Sequence, residues 1–256
     1  MLKDIKKLIR NNVIEIPPEL PPMATGLFGY LSYDAVRMFE KVPDKNPDEL
    51  NIPDSLLFLP ETVLVFDSVK DDLFIICPAY AKGDAKKVYD GAVKKIQKIQ
   101  ALLNKKTPAR KTASATKQEV NFSSNCTREE YYAMVAKAKE YIAAGDIFQL
   151  VPSQRFTADF NLSPFAFYRS LRHLNPSPFL FYLQLKDFYL IGSSPEILVR
   201  LRDGEVTIRP IAGTRKRGQD RAEDVRLAKE LLADPKELSE HLMLLDLGRN
   251  DVARVA

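Results

Sequence analysis

Three pairs of apolar segments in this 256-residue chain are each separated by a short polar turn, and that spacing sets the fold class. FYLQL and FYLIG flank Lys186 and Asp187, and ILVRLR and EVTIRPI flank Asp203 and Gly204. Two-residue connectors close antiparallel hairpins, and Asp-Gly supplies the positive φ angles that such a turn demands. TVLVFD and DLFIIC form a third pair around a polar turn. Helical patterns fall between the hairpins in blocks. Asp84 to about Leu103 carries Val88, Ala92, Ile96, Ile99 and Leu103 on one face. Thr127 with Glu130 is a capping-box pattern, opening a helix with Tyr131, Val135, Ala138 and Ile142 inward and Gly145 at its end. FAFYRSLRHL is a short helix stopped by NPSP, Asp220 caps a helix starting near Ala222, and Asp234 with Pro235 starts another. Blocks of this kind, without regular strand-helix alternation, predict an α+β fold rather than a doubly wound one.

Other segments are read from composition. Residues 1–25 contain PPELPP between short apolar stretches and are expected to be an extended approach segment. GLFGYLSYDAVRMFE begins as a strand whose glycines permit close backbone approach, and IFQLVPSQRFT also reads as a strand. KKTPARKTASATKQEVNFSSN lacks periodicity and reads as a mobile basic connector. The expected organisation is an N-terminal lobe over 1–104, a linker over 105–126 and a second domain over 127–256.

With 45% hydrophobic residues the chain has enough apolar material for a core. Its apolar runs stop well short of the roughly 20 residues of a membrane span, and MLKDIKKLIRNN has no apolar centre like that of a signal peptide. Two cysteines, Cys77 and Cys126, do not make a disulfide framework or a zinc site, so a cytoplasmic protein is expected. The net charge of +4 is concentrated in Lys105–Lys117, and no basic face interleaved with aromatics points to nucleic acid. No glycine-rich phosphate loop is present.

Several residues are candidates for chemistry. Glu237 and Glu240 lie three apart on one helical face, and a hard cation such as magnesium takes one or two protein carboxylates beside those of a substrate. A plain surface pair has the same pattern, but Glu240 and His241 precede the apolar LMLLDL, whose burial draws Glu240 toward cover. Glu196 follows GSSP at the start of a strand. Apolar surroundings favour a protonated carboxyl, as a general acid requires, whereas a strand-edge glutamate in water is the bland alternative. Gln149, between Phe148 and Leu150, is either a core amide or a group that orients a nucleophile without deprotonating it. Gly213 and Thr214, in PIAGT, offer backbone N–H groups and a hydroxyl to a carboxylate. Arg215, Lys216 and Arg217 follow as a basic loop, read most simply as solvated. His173 and His241 are read as structural.

Six blocks in order, FGYLSYDAVRMFE, AGDIFQLVPSQRF, NPSPFLFYLQL, IGSSPEILVRL, RPIAGTRKRG and KELSEHLMLLDLGRND, resemble the large components of anthranilate synthases, among the chorismate-utilising enzymes. The resemblance implies two mainly antiparallel β-sheets packed together with flanking helices. It implies conversion of chorismate and ammonia to anthranilate and pyruvate with Mg2+. By position, Glu240 matches the magnesium carboxylate with Glu237 as an outer partner, Glu196 matches the general acid, and Gly213 and Thr214 match the substrate turn. Gln149 stands where water-adding relatives place a lysine base; ammonia brings its own lone pair and needs none. Ala212 stands where aminodeoxychorismate synthases commonly carry a nucleophilic lysine, which disfavours that activity. Pro178, Phe179 and Leu180 match part of a tryptophan-inhibitor site, although no LLES-like segment precedes them. A glutamine amidotransferase subunit is the implied ammonia source, because no cysteine here sits in an amidotransferase motif. The family pattern runs on past RND, so the sequence reads as an incomplete large component. Its expected partner is the C-terminal remainder, with a non-catalytic fragment as the alternative.

Overall fold

The computed structural model describes residues 2–80, 83–106 and 120–256. Most of the connector expected at 105–126 therefore lies outside the described residues. The chain divides into two compact units, Met1–Ser114 and Ala115–Ala256.

The first unit opens with helix α1 (Leu2–Asn11), where the composition suggested extended chain. Leu2, Ile5 and Ile9 recur at helical spacing, and the prolines that enforce extension begin only at Pro17. Strand β1 (Phe28–Leu31) leads into a 3-10 helix over Tyr33–Met38 and then pairs antiparallel with β2 (Ser55–Phe58). Gly29 (φ +148°) lies across from Leu57, and a Cβ there would run into the backbone carbonyl of Leu56, so only glycine allows this approach. Strands β3 (Val63–Asp67) and β4 (Asp72–Ile76) form the expected hairpin, with Asp67 accepting the Val69 and Lys70 N–H groups in its turn. Helix α2 (Ala85–Leu103), capped by Asp84, packs on β4. Lys95 of that helix donates to Glu61 at 2.7 Å, tying it to the chain before β3.

The second unit begins with β5 (Ser123–Ser124). Helix α3 (Arg128–Ala144) follows, with both halves of its Thr127–Glu130 capping box formed and Gly145 left-handed at its end (φ 81°). The expected strand over 147–157 is reduced to β6 (Phe156–Thr157), paired with β5. The rest of that segment is irregular and largely exposed, with Phe148 and Val151 about four-fifths open to solvent. An apolar run is a strand only when a neighbour satisfies its backbone, and among the described residues none lies beside Phe148–Val151. Helix α4 (Pro164–Leu174) packs on the hairpin of β7 (Phe179–Gln184) and β8 (Tyr189–Ser194). Tyr182 is the joint: its ring lies 5.5 Å from Phe165 and 5.7 Å from Tyr168 of α4, and 5.8 Å from Tyr189. The next hairpin is shorter than its sequence suggested, β9 (Arg200–Arg202) with β10 (Glu205–Thr207), and turns through Asp203 and Gly204, both with positive φ. Helices α5 (Arg221–Ala233) and α6 (Pro235–Ala253) close the unit and pack on each other.

The fold is mixed, with antiparallel β-structure and flanking helices as expected. Its strands are spread over five two-stranded ladders among the described residues. Among those residues only Ala24, Ala35 and Ala138 are buried, and no helix is long and apolar enough to cross a membrane.

Candidate active site

Glu196 is placed by a stitched corner. After α4, the Ser177 hydroxyl donates to the Ser194 carbonyl, and Ser193 Oγ donates to the Asn175 carbonyl at 2.7 Å, binding the NPSP loop to the end of β8. Ser194 Oγ then donates to the Glu196 carbonyl at 3.2 Å and accepts the Glu196 N–H at 3.3 Å. These bonds satisfy a tight turn and fix the direction in which Glu196 leaves it. Its Oε1 accepts the Ile211 N–H at 3.3 Å. Glu196 lines an open cavity of about 550 Å³ whose walls are mostly apolar, including Ile197, Leu198, Ile208 and Leu244, with Asp251 as a second carboxylate. Pro178, Phe179 and Leu180 lie at the loop and first residues of β7, within the same stitched corner.

The segment 208–213 separates this cavity from a second, of about 280 Å³, lined by Arg209 to Ala212, Leu231, Leu232, Leu238, Glu237 and His241. Gly213 ends the segment in a left-handed conformation (φ 70°), and a Cβ on it would come within 2.8 Å of Glu237 Oε2 and 3.0 Å of Leu231. The turn therefore lies against the α5–α6 junction, in a left-handed backbone conformation that favours glycine. Gly213 and Glu237 are brought together. Glu196 reaches the same segment two residues earlier, from the opposite cavity.

Lys216 and Arg217 are exposed, as the composition of the basic loop suggested, but Arg215 is not. Arg215 is about three-quarters covered and donates to Asp234 at 2.6 Å, Glu230 at 3.3 Å and Glu237 at 3.4 Å, and to the Thr214 carbonyl at 3.1 Å. Arg217 forms a two-pronged ion pair with Asp224, which also accepts the Gly218 N–H. Of the three basic residues only Lys216 has no ion pair among the described residues. Sequence reasoning missed these pairs, because Asp234 breaks the chain between α5 and α6 and the convergence of Glu230, Asp234 and Glu237 on Arg215 depends on how the two helices meet.

These contacts displace titrations. Hydrogen bonding to Arg217 holds the Asp224 carboxyl below its ordinary 3.8, and the Gly218 N–H lowers it further. The Glu237 N–H, then Arg215, lowers Asp234 in the same way. Both groups bind protons less readily folded than unfolded. Their stabilisation is complete above the ordinary carboxylate range and is lost as pH falls through the folded values below it. Melting temperature is therefore expected to fall steadily from about pH 5 to pH 3, and less steeply in Asp224→Asn. Thermal scans in steps of half a pH unit test this; equal slopes in the two proteins would contradict it.

Glu240 is half-buried on α6 and has no hydrogen bond or ion pair among the described residues. It is free to accept a cation, while the Glu237 carboxylate is already held by Arg215. No group of three or more His, Cys, Asp or Glu is arranged to hold a metal among the described residues. Magnesium asks for less, since it keeps waters and shares a substrate's oxygens; of the two glutamates Glu240 is the one with an unpaired carboxylate among the described residues, whereas Glu237 is held by Arg215. Gln149 is exposed and outside any strand, correcting its expected mid-strand position, and it has no hydrogen bond to the rest of the site among the described residues.

Comparison with known proteins fits these features into one family. The family model described as chorismate binding enzyme matches residues 3–256. Anthranilate synthase component 1 of Cereibacter sphaeroides is 52% identical over 257 residues, covering 100% of this chain and 51% of that protein. The protein of the same name from Aquifex aeolicus is 43% identical, covering 100% and 52%. The crystal structure of anthranilate synthase component I from Streptococcus pneumoniae TIGR4 superposes with a TM-score of 0.84 at 31% identity, over 98% of this chain and 55% of that one. The chain thus spans about half the length of the curated relatives it matches. With residues 3–256 matched by one family model and 98% of the chain by one solved fold, the chain belongs to the chorismate binding enzymes.

Proposed function

We propose that this chain belongs to the large component of an anthranilate synthase, which turns chorismate and ammonia into anthranilate, pyruvate and water. The observation that carries the reading is 52% identity, without loss of coverage along this chain, to a protein named for that role. Ala212 supports it against aminodeoxychorismate formation, since a methyl group offers no nucleophile. The Gly213 N–H and the Thr214 hydroxyl bind a substrate carboxylate. Glu240 holds Mg2+, with Glu237 three residues before it but bonded to Arg215. The ion, when bound, supplies positive charge to the ring carboxylate. Ammonia adds to the ring near Gln149, Glu196 gives its proton to the departing hydroxyl, which leaves as water, and pyruvate is then eliminated. Ammonia comes from a glutamine amidotransferase subunit.

The chain spans about half the length of the relatives named for this activity, so turnover is proposed for it together with the remainder of that length. Leu198, in the Glu196 cavity, is 90% exposed, so that wall of the cavity lies open. The test is the fluorescence of anthranilate formed from chorismate, ammonium and Mg2+. The 256-residue chain alone is expected to give little product, and mixing with the C-terminal half of a relative is expected to raise it. Full activity from the isolated chain would refute the need for a partner, and none from any mixture would refute the assignment.

A further inference from the structure

Arg215 makes the densest polar cluster in the second unit, and the proposed reaction gives it no task. Its guanidinium joins three parts of the chain. One nitrogen donates to the Thr214 carbonyl and to Glu237, another to Asp234, and the third to Glu230 at the end of α5. Asp234 divides its two oxygens: Oδ2 takes Arg215, while Oδ1 accepts the Lys236 and Glu237 N–H groups and so caps α6. The same side chain thus touches the substrate turn, the start of the helix bearing Glu237 and Glu240, and the helix before it. Gly213 lets Glu237 lie close against the turn, and Arg215 closes that contact from the other side. A planar fork with five donors meets such divergent acceptors together, whereas an ammonium on a flexible stem is a point charge.

We propose that Arg215 is a positioning residue that fixes the spacing between the Gly213–Thr214 turn and the first turn of α6, and so sets the geometry in which a chorismate carboxylate is held. The proposal rests on the reading of that turn as a substrate site. Arg215 itself touches no substrate. It also neutralises Glu237, leaving Glu240 as the carboxylate of the pair with unspent charge.

The test compares Arg215→Met and Arg215→Lys with the unmodified chain by two measurements. One is the chorismate dissociation constant in the presence of Mg2+, and the other is amide hydrogen exchange resolved by residue. In Arg215→Met, the Lys236 and Glu237 amides are expected to exchange about tenfold faster or more, with chorismate binding weakened about tenfold. Arg215→Lys should restore part of both, and exchange in the β7–β8 hairpin should be unchanged in either variant. Unaltered exchange at Lys236 and Glu237 in Arg215→Met would overturn the proposal. So would an equal loss of protection throughout the unit that Arg215→Lys does not relieve, because Arg215 would then serve stability alone. If the unmodified chain binds no chorismate, the assignment of the turn as a substrate site fails, and exchange alone decides whether Arg215 positions it.

Discussion

Replacing Glu196 by Gln in the active enzyme is expected to slow anthranilate formation by about 10²- to 10⁴-fold while changing chorismate affinity by less than about threefold. The substitution separates two jobs that one side chain performs. Its Oε1 accepts the Ile211 N–H, which ties the corner after β8 to the segment leading to Gly213. A glutamine carbonyl of the same size accepts that bond, so the backbone and the cavity walls keep their places. What glutamine lacks is a proton it can give away. A hydroxyl leaving unprotonated departs as hydroxide, a much poorer leaving group than water. Glu196→Ala removes both jobs and is expected to lose a further ~1 kcal/mol of stability through the unpaired Ile211 N–H. Product fluorescence with saturating chorismate gives the rate, and its dependence on chorismate gives the affinity. A near-normal rate in Glu196→Gln would reduce Glu196 to a structural anchor. A rate retained there but lost in Asp251→Asn would move the proton to the other carboxylate in the cavity.

What the sequence revealed depended on the range of the interaction involved. The Thr127–Glu130 box, Gly145, the helix starts at Asp220 and Asp234, and the Asp203–Gly204 turn all formed as read, because each is settled within a few residues. Helix α1 was obscured by the prolines after it, since composition over 25 residues hid a local repeat of Leu2, Ile5 and Ile9. The strand read through Gln149 failed for the opposite reason. Its alternation was sound, but a strand exists only beside another, and that condition is not written in the segment itself. The site shows the same division. The position of Gly213 against Glu237 depends on where α5 and α6 return, and the stitched corner around Glu196 on where the NPSP loop meets the end of β8, which no local pattern states. The basic loop was the clearest case: Arg215, Lys216 and Arg217 look alike in sequence, yet Arg215 is covered and bound to three acids, Arg217 pairs with Asp224 while staying exposed, and Lys216 has no ion pair among the described residues.

That inequality extends to the two glutamates of α6, which the sequence treats as a pair. Glu237 is four-fifths covered, lies against Gly213 and is held by Arg215 at 3.4 Å. Glu240 is half-buried and unpaired among the described residues. A carboxylate already balanced by a guanidinium gains less from a cation than one that is not, and a divalent ion placed beside Arg215 would be repelled. Glu240→Gln is therefore expected to raise the Mg2+ concentration for half-maximal activity by about 100-fold or more, with a maximal rate partly recovered at high Mg2+. Glu237→Gln keeps the shape of its side chain and its contact with Gly213 but weakens the bond to Arg215. Its Mg2+ requirement is expected to rise less than about tenfold, while its chorismate KM rises as the turn loosens. Titration of activity with Mg2+ at fixed chorismate, and with chorismate at fixed Mg2+, separates the two patterns. Mn2+ binding measured by electron paramagnetic resonance without substrate checks the same ranking free of catalysis. Equal losses of metal affinity in both variants would show that Glu237 leaves Arg215 to join the ion, and a greater loss in Glu237→Gln would reverse the assignment.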